Sequence, residues 1–156
     1  MIDKWLQTVL DALRTSGQWF GGPSPSGSLR RVSMEQALRR FEGLSHNIWE
    51  LALHIAYWEY AVRRNLEDGP RGSFPRKPSN WPRVPGNPTE SAWKADRALV
   101  RAEREALIAA VRAFDPRRLD EQASGTSKHR YADLMFGAIQ HSTYHTAQIA
   151  LLKRLK

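Results

Sequence analysis

Residues Leu134 to Leu152 read LMFGAIQHSTYHTAQIALL, a run whose apolar positions recur at helical rather than alternating spacing. Leu134, Ala138, His141, His145, Gln148, Ile149 and Leu152 fall on one stripe, the face that a helix turns toward the core of its own protein. His141 and His145 stand one helical turn apart on that stripe, with about 6 Å between them. Two imidazole nitrogens at that separation can share one divalent metal, as the paired histidines of helical zinc sites do.

The chain around this helix has 156 residues, 41% of them hydrophobic, which fits one domain over residues 1–156 with a real core. No apolar run approaches the roughly 20 residues needed to span a bilayer. The N-terminal MIDKWLQTVLDAL is amphipathic with acids inside it, unlike a signal peptide, so a soluble cytoplasmic protein is expected. Cysteine is absent, which removes disulfides, thiolate ligands and cysteine nucleophiles together. Any metal must be held by His, Asp or Glu. The net charge of +8 raises the question of nucleic acid. The basic residues are scattered as pairs, Arg30/Arg31, Arg39/Arg40, Arg63/Arg64 and Arg117/Arg118, with acids between them, and read as solvated helix faces. No nucleic-acid or membrane partner is expected.

Residues 2–16 form a first helix through Ile2, Trp5, Leu6, Val9, Leu10 and Leu13, stopped by Gly17. The following connection is rich in Gly, Pro and Ser, yet its Trp19 and Phe20 should pack on the bundle. Ser33 and Gln36 make a capping box for a short helix through Phe41, ended by Gly43. Ser45 is the expected cap of a long second helix, 46–67, with the stripe Ile48, Leu51, Ala52, Ile55, Trp58, Val62 and Leu66, ended by Gly69 and Pro70. His54 falls within that buried sector. His46, eight residues earlier, is about 12 Å along the axis and some 80° around it, too far to join His54 on one metal. Residues 69–89 hold too many prolines for regular structure, and Phe74 and Trp81 predict that this crossing loop packs. Thr89 caps a third long helix, 90–114, with Trp93, Leu99 or Val100, Ala106 or Leu107, Ala110 and Val111 inward, stopped at Asp115-Pro116. After a polar segment, Tyr131 or Asp133 opens the last helix. The expectation is an all-α four-helix bundle whose long loop between the second and third helices permits a crossover that sets them parallel.

His54, His141 and His145 would bring three neutral imidazoles to one point from two facing helices. A metal so held keeps its full charge and an open position, and acts as a Lewis acid toward water or a thiol. The bland alternative is three core histidines bonded to carbonyls. Gln148 could orient His145 or contact substrate. Tyr144 reads as a packing residue, because neighbouring helical positions diverge by about 100°. Glu59, next to Trp58, could serve as a general base but reads more simply as a solvated surface glutamate. No serine triad, phosphate-cradling glycine loop or paired-carboxylate motif is present.

HNIWELALHIAYWEY, the loop NWPRVP followed by TESAW, and HSTYHTAQIALLKR resemble, in that order, the DinB/YfiT-like family of metal-binding four-helix bundles. The terminal His-x-x-Tyr-His-x-x-Gln-Ile pattern carries most of the resemblance, and Ala147 stands where many relatives have Gly. The family's three metal ligands map onto His54, His141 and His145. The resemblance implies an open tri-histidine site for zinc, nickel or another divalent ion, among relatives that include thiol S-transferases, an isomerase and metal-dependent hydrolases. The expected function is therefore a metal-dependent transfer of a low-molecular-weight thiol to a small-molecule electrophile, with Gln148, Tyr144 and Glu59 as further candidates for the chemistry. Arg76, Lys77 and Arg83 in the crossing loop would draw the thiol's carboxylates. The rivals are a hydrolase in which the metal activates water, and a non-catalytic metal-binding module. A bundle of this size can also pair as a homodimer, although no stripe marks the surface.

Overall fold

A computed structural model describes residues 3–14, 22–67, 72–124 and 128–155. Four long helices, α1 (Lys4–Arg14), α4 (Ile48–Leu66), α5 (Glu90–Ala113) and α6 (Tyr131–Leu152), are accompanied by the short α2 (Pro25–Ser28) and α3 (Met34–Leu38) and by a 3-10 turn at Pro116–Arg118. The described residues contain no strand, only an isolated bridge between Gln122 and Arg130. None of these helices is long and apolar enough to cross a membrane. The all-α expectation holds. Ile2, Gly17, Trp19, Phe20, Gly69 and Pro70, on which several expectations rested, lie outside the described residues.

Side-chain caps set the helix boundaries. Asn47, not Ser45, caps α4: its side chain accepts from the Glu50 amide at 2.9 Å, while the Glu50 carboxylate accepts from the Asn47 amide at 3.0 Å. The glutamate three residues on completes a reciprocal box, whereas Ser45 has Ile48 at that offset and no such partner. Thr89 caps α5 as expected, accepting from the Ala92 amide. Ser33 likewise caps α3, but the Gln36 side chain donates to the Lys153 carbonyl instead of closing the box. That short helix stops at Leu38, earlier than expected, because Arg39 turns to extended ψ; Gly43 then bends the chain at φ +77°.

α4 and α5 run parallel. Trp49 near the start of α4 meets Trp93 and Asp96 near the start of α5, while Arg63 near the end of α4 meets Glu103 further along α5. α6 runs the other way, since its late residues Ile149 and Leu152 share a core with Leu51 and Ile55, and its early residues Tyr131 and Met135 share one with Val62 and Leu66. The crossover loop makes the parallel pair possible, and Phe74 from that loop is buried against Tyr57 and Tyr60. α5 buries Val100 rather than Leu99 and Leu107 rather than Ala106.

Two apolar clusters fill the bundle. One joins Trp49, Leu53, Trp93, Val100 and Ile149; the other joins Leu10, Val62, Leu107, Val111 and Met135. Along each of α4, α5 and α6 a polar residue falls between members of the two clusters: Glu59, Arg104 and Ser142. They meet. The Ser142 hydroxyl donates to Glu59 at 2.7 Å, and the Arg104 guanidinium lies 3.2 Å from the same carboxylate oxygen. Glu59 is 1% exposed, which overturns its reading as a solvated glutamate. Trp58, placed on the inner stripe by periodicity, is 40% exposed. Periodicity could not separate these neighbours, because every residue of 48–56 in α4 except Glu50 is buried, which leaves little wet face from which to count.

Candidate metal centre

α4 brings His54 to α6 at the level of His141 and His145. His54 Nε2 and His141 Nε2 stand 3.0 Å apart, and one ring nitrogen from each of the three histidines lies within 4.8 Å of the others. A tetrahedral ion with imidazole nitrogens at about 2.1 Å spaces those nitrogens about 3.4 Å apart. The spacings of 3.0 Å and up to 4.8 Å lie on either side of that value. No carboxylate joins the cluster among the described residues, so three neutral imidazoles would leave a bound dication its full charge.

The hydrogen bonds behind the rings decide which nitrogen each offers. His54 Nδ1–H donates to the Asn80 carbonyl at 2.5 Å, an acceptor that accepts no other tautomer, so the lone pair of His54 sits on Nε2 and faces the cluster. His145 Nδ1–H donates to Gln148 Oε1 at 2.6 Å and likewise frees Nε2. His141 has no such support, since its Nδ1 is buried without a partner among the described residues. In the metal-free chain its Nε2–H can donate to His54 Nε2. Two rings of fixed tautomer and one adjustable ring make a donor set whose chemistry fits a divalent ion.

The crossing loop builds the roof. Trp81 stacks flat on His54 with centroids 3.6 Å apart, and its other face stacks on His46 at the same distance. Asn80 adopts φ +70°, a left-handed conformation that asparagine tolerates better than other non-glycine residues. That turn lets one residue hold two partners: its carbonyl takes His54, and its Oδ1 accepts from Trp58 Nε1 at 2.8 Å. Trp58 also stands 5.8 Å from the His141 ring, so the outward tryptophan is a wall of the cluster.

Burial favours the neutral form of these rings. It lowers the His54 imidazole to about 4, with the like charge of His145 adding to the effect and the Asn80 bond opposing it. His141 is also lowered to about 4 by burial, then by His145 and His54. His145 moves in the same direction, opposed by Gln148. Rings that are neutral at pH 7 are ready to ligate without first losing a proton. The same shifts predict acid sensitivity of the metal-free protein. Between the ordinary imidazole value near 6.5 and about 4, the unfolded chain binds protons that the folded chain refuses, so stability falls as pH is lowered through that window. Thermal melts from pH 7 to 4 should show the midpoint dropping, and a His54→Phe/His141→Phe variant should show a shallower drop.

The three histidines singled out by spacing are thus together, and His46 is apart from them with Trp81 between. Gln148 orients His145, as its spacing allowed. Tyr144 does not pack inside the bundle: it is 63% exposed, with its ring 4.9 Å from that of His145, because the turn that aims His145 inward leaves its neighbour outward. Glu59 is committed to Arg104 and Ser142. Arg76 is held at 2.6 Å by the buried Asp96 and is not a free rim cation, whereas Lys77 and Arg83 are exposed. Sequence reasoning placed Trp81 as a packing residue but missed Asn80 and the stacking of Trp81 on the histidines; the one signal was an asparagine, the residue that best tolerates a left-handed turn, directly before a tryptophan in a proline-rich loop.

A family model described as the DinB superfamily matches residues 26–149, nearly the whole span from α2 to the end of α6. The chain belongs to the DinB superfamily. No curated protein and no solved structure matches it. Membership and the converging histidines together support a metal-binding DinB protein. Because Gln148 fixes the tautomer of one ring, Gln148→Ala should weaken divalent-metal affinity about 10- to 100-fold without unfolding the protein. Competition titration against a chromophoric chelator reads that change directly.

Proposed function

We propose that this DinB protein is a metal-dependent enzyme that transfers a low-molecular-weight thiol to a small electrophile, with His54, His141 and His145 as the ligands. The observation that carries the reading is the pair of fixed tautomers on His54 and His145, which aim two lone pairs at one point beside an adjustable third. A zinc or nickel ion held there would supply Lewis acidity at a position left open by only three protein ligands. The chain's own residues do the rest. Asn80 and Gln148 keep the two rings oriented, while Trp58 and Trp81 wall off water beside them. Tyr144, exposed next to His145, stands where an entering substrate would meet the cluster. Lys77 and Arg83 in the exposed loop would favour an anionic thiol.

The surroundings favour a thiol over water as nucleophile. The rings contact aromatic side chains, an amide and a backbone carbonyl, and no carboxylate stands against them among the described residues to serve as a base for water. A thiol loses its proton more readily and attacks as the sulfur anion, forming the new carbon–sulfur bond as the electrophile's leaving group departs. The test incubates metallated protein with a panel of small electrophiles, with and without added thiols. Thiol-dependent turnover is expected. Turnover at the same rate without thiol would establish hydrolysis instead, and stoichiometric metal with no turnover on any electrophile would favour a binding module.

A further inference from the structure

A cleft between α2 and α5 shares no residue with the histidine cluster. Ser26, Leu29 and Arg30, at and after α2, face Lys94, Arg97, Ala98 and Arg101 of α5 across a cleft of about 260 Å³. Four of these seven residues are cations and none is an acid. None of the four has an ion pair among the described residues, and here, unlike the other unpaired cations such as Lys77 and Arg83, they converge on one concavity.

The geometry of α5 gathers three of these cations on one face. Lys94, Arg97 and Arg101 recur at three- and four-residue intervals, so they share one helix face and repel one another across it. Ala98 keeps the centre of that face short and open. The opposite lip is rigid: Leu29 is buried beneath it, and Lys153 Nζ donates to the carbonyls of Ser28 and Arg30, fixing the turn that carries Arg30. Arg97 is braced as well, with its guanidinium 6.0 Å over the Trp93 ring. A braced turn carrying Arg30, facing a braced Arg97 flanked by Lys94 and Arg101 across a concavity lined by no acid, suits an anion.

We infer that this cleft binds a small phosphorylated molecule, its phosphate held between Arg30 of one lip and Lys94, Arg97 and Arg101 of the other. Guanidinium groups suit phosphate because their fork of donors matches its oxygens. The volume is below the roughly 300 Å³ at which drug-sized pockets begin, so it suits a compact phosphate ester. A concave site of this size favours that ligand over a duplex, which needs an extended basic face.

Calorimetric titration of the whole protein with inorganic phosphate and with a sugar phosphate, at physiological ionic strength, tests the assignment. Saturable one-to-one binding is expected, weakened about tenfold or more in Arg97→Gln/Arg101→Gln and in Lys94→Gln/Arg101→Gln, whose far-ultraviolet circular dichroism should match the parent. Binding should persist in a His54→Ala/His141→Ala variant. Absence of saturation, equal affinity in both cleft variants, or loss of binding in the histidine variant would each overturn the proposal. So would tight, steeply salt-dependent binding of a DNA duplex that the cleft substitutions abolish while phosphate fails to saturate.

Discussion

Glu59→Ala is expected to lower the free energy of unfolding by about 3–5 kcal/mol, because it leaves the Arg104 guanidinium in the interior without its carboxylate. The cost comes from the stranded charge more than from the lost attraction. Burial raises the Glu59 carboxyl above its ordinary range, and Arg104 and the Ser142 hydroxyl pull the other way. Two comparisons separate this account from simple cavity formation. Glu59→Gln keeps the bond from Ser142 and fills the same space, and should cost less than alanine. The double replacement Glu59→Met/Arg104→Met removes both charges and should recover most of the loss, as replacing a buried ion pair by apolar residues often does. Urea unfolding of the four proteins reads the result. A double variant as unstable as Glu59→Ala would show that the polar layer stabilises by more than mutual neutralisation.

The second large effect is expected at the cluster itself. His145→Ala removes one of three nitrogens and also strands Gln148, whose Oε1 loses its donor. Metal affinity should fall by about 100-fold or more, beyond the loss expected from disturbing an outer partner alone. His54→Ala should do at least as much, since it also frees the Asn80 carbonyl and uncovers one face of Trp81. His46→Ala is the control. It touches the stack from the far side of Trp81 and should leave affinity within a few-fold of the parent, so an equal loss there would mean that the stack, not ligation, governs binding.

The bundle was legible from the chain because helix signals are local. Thr89 and the Asp115-Pro116 step bounded α5, and the spacing of His141 and His145 needed only 3.6 residues per turn. The third histidine was legible because His54 falls one turn after the buried Leu51, although Trp58, the other residue used to place it, proved exposed. The departures share a cause: each depends on what a distant segment places against the residue. Trp58 and Glu59 exchanged their expected environments because Arg104 and Ser142 arrive from α5 and α6 to receive the carboxylate. Asp96 and Arg76, 20 residues apart in the chain, neutralise each other, which removed Arg76 from the rim. Asn80 matters through its backbone carbonyl and its left-handed φ, and neither is written in side-chain pattern. The basic cleft likewise needed α2 laid beside α5 before scattered cations became a site.

Metal analysis of the protein purified from metal-replete medium, beside His54→Ala/His141→Ala/His145→Ala prepared the same way, tests the central claim most directly. One divalent ion per chain in the parent and none in the triple variant is the predicted result. A parent without stoichiometric metal, or a triple variant that retains it, would contradict the account.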